Sequence, residues 1–212
     1  LAESYAVRDR CLTTTKSQTS PGEGVQNGLN QIYSQAVVRW TVLPMNGLTG
    51  VELGDNGLDW ADSQMLSAYN TEMNSVISAF RDWKHDADPD AYYLFVVPKF
   101  SEGSVEGFMP RSRRFGFVTL NQLDARLVAH EVGHGAFNLR HTFPEAPQGS
   151  TDNLMDYPPA GGQAFSYTAL LKAQWDLIHN PETTTGLFDG MEDGAAINIF
   201  SLIDDIRKAN KN

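Results

Sequence analysis

The stretch LVAHEVGHGAFNLRHTF, residues 127–143, holds three of the chain's five histidines: His130, His134 and His141. His130-Glu131-Val132-Gly133-His134 has the form H-E-x-x-H, and apolar spacing through Leu123, Leu127 and Val128 predicts a helix over 122–137. Four helical residues turn through about 400°, so both imidazoles point the same way and can share one ion. Glu131 projects beside them, where its carboxylate could reach a water on that ion. Imidazole nitrogen and a flexible closed-shell geometry point to one catalytic zinc, which lowers the pKa of its water to about 7. The competing reading is a helix whose histidines only hydrogen-bond, on the surface or in the core. Two features weigh against it: the third histidine downstream, and the segment STDNLMDYPP at 150–159.

Outward from this stretch, 212 residues suffice for one well-packed domain or two lobes around a cleft. With 41% hydrophobic and 20% charged residues, the composition is that of an ordinary globule. No run approaches the roughly 18 apolar residues of a membrane span, and no charged–apolar–small signal peptide opens the chain. The formal charge of −10 argues against nucleic acid or an anionic membrane as main partner. It suits cationic peptides weakly; a solvated acidic surface is the simpler reading. The single cysteine, Cys11, excludes an internal disulfide framework.

Residues 13–24 are rich in Ser, Thr, Gly and Pro and read as a loop. Helical spacing predicts helices at 25–35, 63–84 and 165–180, the last capped by Ser166 or Thr168, and a short one near 199–208. Extended segments are expected at 36–45, 91–100, 105–110 and 115–121, the last two forming an antiparallel hairpin around RSRR. GDNGLD, at 54–59, looks faintly like a calcium loop, but it lacks the ligand spacing and reads as a turn. Nothing else supports Ca²⁺. These elements predict an α/β layer followed by a mostly helical lower part, with the helices at 25–35, 63–84 and 122–137 all on one side of the sheet.

HEVGHGAFNLRHTF resembles the zinc motif of the metzincin endopeptidases, most nearly the pappalysin-like (ulilysin-like) branch, whose relatives read H-E-x-G-H-x-x-G-L-x-H-T-F. NLMDY resembles that branch's Met-turn, and GLNQIYSQAVVRW, YYLFVVPKF and GFMP resemble its first helix and strands in order. The likeness extends over about residues 24–180. It implies an α+β fold: a twisted mixed sheet with helices in an upper lobe, the zinc-motif helix, and a smaller, mostly helical lower lobe after the Met-turn. One catalytic domain would span 1–212, with the upper lobe at about 1–137 and the lower at about 138–212. It implies His130, His134 and His141 as zinc ligands, Glu131 as general base, and Met155 as the floor beneath the metal. Tyr157 stands where some metzincins place a tyrosine close to the metal. Its phenol either hydrogen-bonds the oxyanion or simply packs. A protein or peptide substrate would add a strand along the edge near Val105–Met109, and the place of action would be extracytoplasmic or secreted. Cys11 would suit a pro-segment thiolate that blocks zinc, though a small buried hydrophobe is the simpler reading.

The family's third ligand stands ten residues after the first histidine, with Gly at the seventh position. Here His141 stands eleven after His130, and the seventh position is Phe137. A one-residue shift would rotate a continuing helix by about 100° and misdirect the ligand. Asn138 is the non-Gly residue best able to leave a helix through positive φ, so the helix is expected to stop at about Phe137 and turn there. The alternatives are a carboxylate third ligand (Glu145, Asp152 or Asp156) and a zinc-binding module without turnover. Against the latter, a structural site closes all four positions with protein ligands and needs no base such as Glu131.

Overall fold

The structure, a computed structural model, describes residues 4–8, 21–45, 48, 51, 53, 55–60, 69–143, 146–158 and 165–179. Cys11, Glu145 and the expected helix at 199–208 lie outside them, as does the start of the expected helix at 63–84.

The fold is α+β. Among the described residues, five strands form one mixed sheet in the order β2-β1-β3-β5-β4: β1 is Ser4–Arg8, β2 Thr41–Met45, β3 Tyr92–Val97, β4 Gly107–Phe108 and β5 Phe115–Thr119. β1 runs antiparallel to both β2 and β3; β3 and β5 are parallel; β4 returns antiparallel on β5 and forms an edge. The hairpin expected around RSRR is therefore present, but its first arm is only two residues long. The sequence reading did not include β1. Its five residues, SYAVR, carry no turn signal or long apolar run, and the pairing that makes them a strand comes from residues 41–45 and 92–95.

Successive strand residues point to opposite faces, and the sheet uses both. Leu94, Val96 and Val118 join one apolar cluster with α1 (Pro21–Tyr33) and α3 (Ala125–Phe137). Tyr93, Phe95, Val97, Phe115 and Phe117 join a second with Met73, Val76, Ile77 and Phe80 of α2 (Thr71–Trp83). The expectation that all three helices pack on one side is thus corrected: α2 covers the opposite face. Both faces of the central strands are apolar, and such strands need a helix on each side.

Several boundaries also move. α2 begins at Thr71, because Asn70 is extended and its side chain accepts the amide of Met73, a helix N-cap. Residues 36–40, expected in a strand, instead start with the last residue of a 3₁₀ turn (Ser34–Ala36) and the left-handed Val37 (φ 57°), and the strand begins only at Thr41. α4 covers only Lys172–His179; residues 165–171 are not helical, and Ala169 bridges to Asn153. Ser166 therefore caps nothing and instead donates to Asp152 Oδ1 (2.9 Å). Gln174 supplies the reciprocal end of a cap, accepting the amide of Leu171 (2.9 Å). Among the described residues after α3, only α4 is α-helical, so the expected mostly helical lower lobe is chiefly loop there.

That loop region has no separate core within the described residues. Leu139, Leu154, Met155 and Ile178 enter the α1–α3 cluster. α1 and α3 cross closely at Gly28, where a Cβ would collide with that of Ala125. The Tyr33 hydroxyl donates to the Ala129 carbonyl (2.7 Å) in the buried interface, fixing α3 against α1 just before His130.

Candidate metal centre

α3 opens with Asp124, whose side chain accepts the amide of Leu127 (2.7 Å). It closes at Phe137, and Asn138 takes the left-handed conformation (φ 56°, ψ 27°), as expected. The amide of Asn138 donates to the carbonyls of Gly133 and His134, and that of Leu139 donates back to Gly133 (3.1 Å). Beside the ordinary four-residue bond to His134, bonds reaching back five and six residues to Gly133 make a wide final turn, from which the chain leads back toward the helix at His141.

His141 is consequently brought back to the helix. The Nε2 atoms of His130, His134 and His141 form a near-equilateral triangle with sides of 3.1, 3.1 and 3.2 Å. All three side chains are buried. His130 Nδ1–H donates to the Leu154 carbonyl (2.8 Å), and His134 Nδ1–H donates to the Leu139 carbonyl (2.7 Å). A carbonyl can only accept, so in the neutral rings the proton sits on Nδ1 and the Nε2 lone pairs of His130 and His134 face each other. Burial, reinforced by the neighbouring His134 and His141, holds His130 well below the usual histidine range. Burial likewise pushes His134 down to about 4, and the charge of Arg111 adds to the effect. Neutral rings with converging lone pairs repel one another; a cation between them removes that repulsion.

The donor set fits a tetrahedral ion, because ligand bonds of about 2.0–2.1 Å at tetrahedral angles place neighbouring nitrogens about 3.3 Å apart. These three histidines are a cluster that could hold a metal ion. Of the carboxylates weighed against His141, the two among the described residues, Asp152 and Asp156, are engaged elsewhere. Asp156 accepts the amides of Gly149, Thr151 and Tyr157 and the Thr151 hydroxyl, and Asp152 Oδ1 accepts Ser166 Oγ and the Tyr167 amide.

Met155 is fully buried beneath the helix, its sulfur 3.0 Å from where a Cβ at Gly133 would stand. Glycine between the two helix histidines thus admits the sulfur. The Met155 amide donates to Asn153 Oδ1 (2.9 Å), and its carbonyl accepts the amide of Thr142 (3.3 Å), which ties this turn to the residue after His141. The ring of Tyr157 lies 4.9 Å from that of His130 and 4.8 Å from that of His141. Phe143 stacks on the ring of His141, with centroids 4.8 Å apart.

Glu131, 3% exposed, borders a cleft of about 510 Å³. One wall is the stretch Ser104–Gly107 leading into β4; Arg126, Leu127, Tyr157 and Pro158 form others. A Cβ at Gly107 would collide with Glu131 Oε1, so the edge strand leaves room for the carboxylate only as glycine.

Sequence reasoning missed Gly107, Arg126, Phe143 and the two orienting carbonyls. A backbone carbonyl has no sequence signature; GF and HTF were visible, but not their contacts. Of 54–59 the structure describes 55–59, where Asp55 and Asn56 form a turn and Gly57 stands at φ 97°, in keeping with the turn reading. No described helix is long and apolar enough to cross a membrane. In comparisons with known proteins, the chain matches no family model, no curated protein and no solved structure.

Proposed function

We propose that the chain is a zinc-dependent endopeptidase of metzincin type. The observation that carries this reading is the buried triangle of histidine nitrogens, two of them from the helix whose Glu131 borders the cleft. The motif resemblance, the Met155 turn beneath the helix and a cluster with three rather than four ligands among the described residues all support it. A zinc ion on His130, His134 and His141 would supply Lewis acidity, polarising the scissile carbonyl and making water a nucleophile at neutral pH.

The residues divide the remaining work. Glu131 accepts a proton from the attacking water as its oxygen bonds to the carbonyl carbon. It returns that proton to the amide nitrogen as the C–N bond breaks. Tyr157 donates a hydrogen bond to the oxygen that gains charge. The carbonyls of Leu139 and Leu154 keep the Nε2 lone pairs aimed inward and raise their basicity. β4 lies at the sheet edge, so an extended peptide could pair along its open side, beside Glu131. By the same resemblance, the protein would act outside the cytoplasm.

The test is metal analysis of the purified chain together with digestion of casein, with and without a chelator. About one zinc per chain and chelator-sensitive cleavage are expected. Cleavage that survives complete zinc removal, or a loaded chain that cuts nothing, overturns the proposal.

A further inference from the structure

We infer that the cleft selects a carboxylate on its substrate through Arg126; this rests on the peptidase reading for its biological sense, though not for its test. Arg126 is the second residue of α3, one turn before His130, and lines the same cleft as Glu131 and Tyr157. Its side chain is half-buried, and its Nε and Nη1 atoms are buried with no hydrogen-bond acceptor among the described residues. A guanidinium cannot shed its charge, so a buried N–H without an acceptor costs free energy that a ligand can recover. A carboxylate matches this group: it takes two parallel N–H bonds in the guanidinium plane, on the Nε–Nη2 edge or the Nη1–Nη2 edge, and either way supplies one of the two missing acceptors.

Two acids also line the cleft. Glu131 is assigned to proton transfer. Glu106, on the opposite lip, is exposed, so water screens its effect on a bound peptide far more than it screens the half-buried guanidinium. The cleft therefore favours an anionic group near Arg126 even though the chain as a whole carries −10. The carboxylate could come from an Asp or Glu side chain near the scissile bond or from a peptide C-terminus. The shared chemistry is one carboxylate within reach of α3's first turn.

The experiment measures binding rather than turnover, using the zinc-loaded Glu131→Gln chain so that no probe is cut. Short dye-labelled peptide pools with random flanks are compared by fluorescence anisotropy. One pool is end-blocked with a central Glu, one is end-blocked with a central Gln, and one has a central Gln and a free C-terminal carboxylate. The expected result is that at least one carboxylate pool binds about tenfold tighter than the blocked Gln pool; which of the two does so identifies the source. Adding Arg126→Gln should erase the difference, and Arg126→Lys should keep part of it, which a folding defect would not do. Equal affinity for all three pools, or a preference that survives Arg126→Gln, overturns the inference. A carboxylate preference in a chain whose native form cuts no protein leaves the inference standing and removes only the peptidase reading.

Discussion

The two faces of the sheet are built from the same strands yet do different work. The α2 face is aromatic: Phe80, Tyr93, Phe95, Phe115 and Phe117 meet there, with ring centroids 4.7–6.1 Å apart. The α1–α3 face is apolar too, but its central helix also buries His130, Glu131 and His134. Buried polar groups are tolerated where partners exist, here the Leu139 and Leu154 carbonyls for the rings. One face thus chiefly supplies packing energy, while the other gives up some apolar packing to a buried cluster that could hold a metal ion.

The sharpest way to break that contrast is Glu131→Gln. It should cut peptidase activity by about 10²–10⁴-fold while leaving zinc content and thermal stability near those of the parent. Activity comparable to the parent would remove Glu131 from the role of base. The mirror experiment is Phe80→Ala on the aromatic face. A large buried ring lost there should cost about 3–5 kcal/mol in denaturant unfolding, with zinc stoichiometry unchanged in the fraction that stays folded. A smaller loss, or one accompanied by metal release at native conditions, would mean the faces are not separable.

Acid separates the faces further. The folded His134 stays neutral down to about pH 4, whereas an unfolded histidine protonates near 6.5. In that window the unfolded state binds more protons, so the metal-free chain should lose stability as pH falls from about 6.5 toward 4, by up to about 1.4 kcal/mol per unit for this ring. His130, depressed in the same direction, adds to the trend. The aromatic cluster contains no histidine, so the penalty of Phe80→Ala should be nearly the same at both ends of the window. A metal-free chain equally stable across it would contradict the burial of neutral rings.

The smallest effects are expected at Asn138. A β-branched Val at φ 56° should cost about 1–3 kcal/mol and weaken zinc binding without removing a ligand, whereas Gly should be tolerated or mildly stabilising. A zinc titration of both variants checks this; equal affinities would show that the turn does not position His141.

What could be read in advance follows the same division. The motif helix, its stop at Phe137 and the gathering of His141 were legible, because four-residue spacing and the left-handed tolerance of Asn are local properties. The side of the sheet that α2 covers was not legible. Periodicity reveals that Met73, Val76, Ile77 and Phe80 share a face, but not what that face meets. β1 was missed because its status comes from neighbours distant in sequence. The loop character of 165–171 was missed because apolar spacing there serves a bridge to Asn153 rather than a helix.

The carbonyls of Leu139 and Leu154 have a further consequence for how the chain assembles. His130 finds its acceptor 24 residues away, in a segment that reaches α3 only when the chain after the helix has closed a loop onto it. An isolated α3 could offer two rings without fixing their tautomers or adding the third. Capture of a metal by all three histidines would therefore require residues 139–143 and 153–155 to dock on the helix. A spectroscopically visible ion such as cobalt(II), added during refolding, should acquire its bound spectrum at the pace of that loop closure rather than at the faster pace of helix formation.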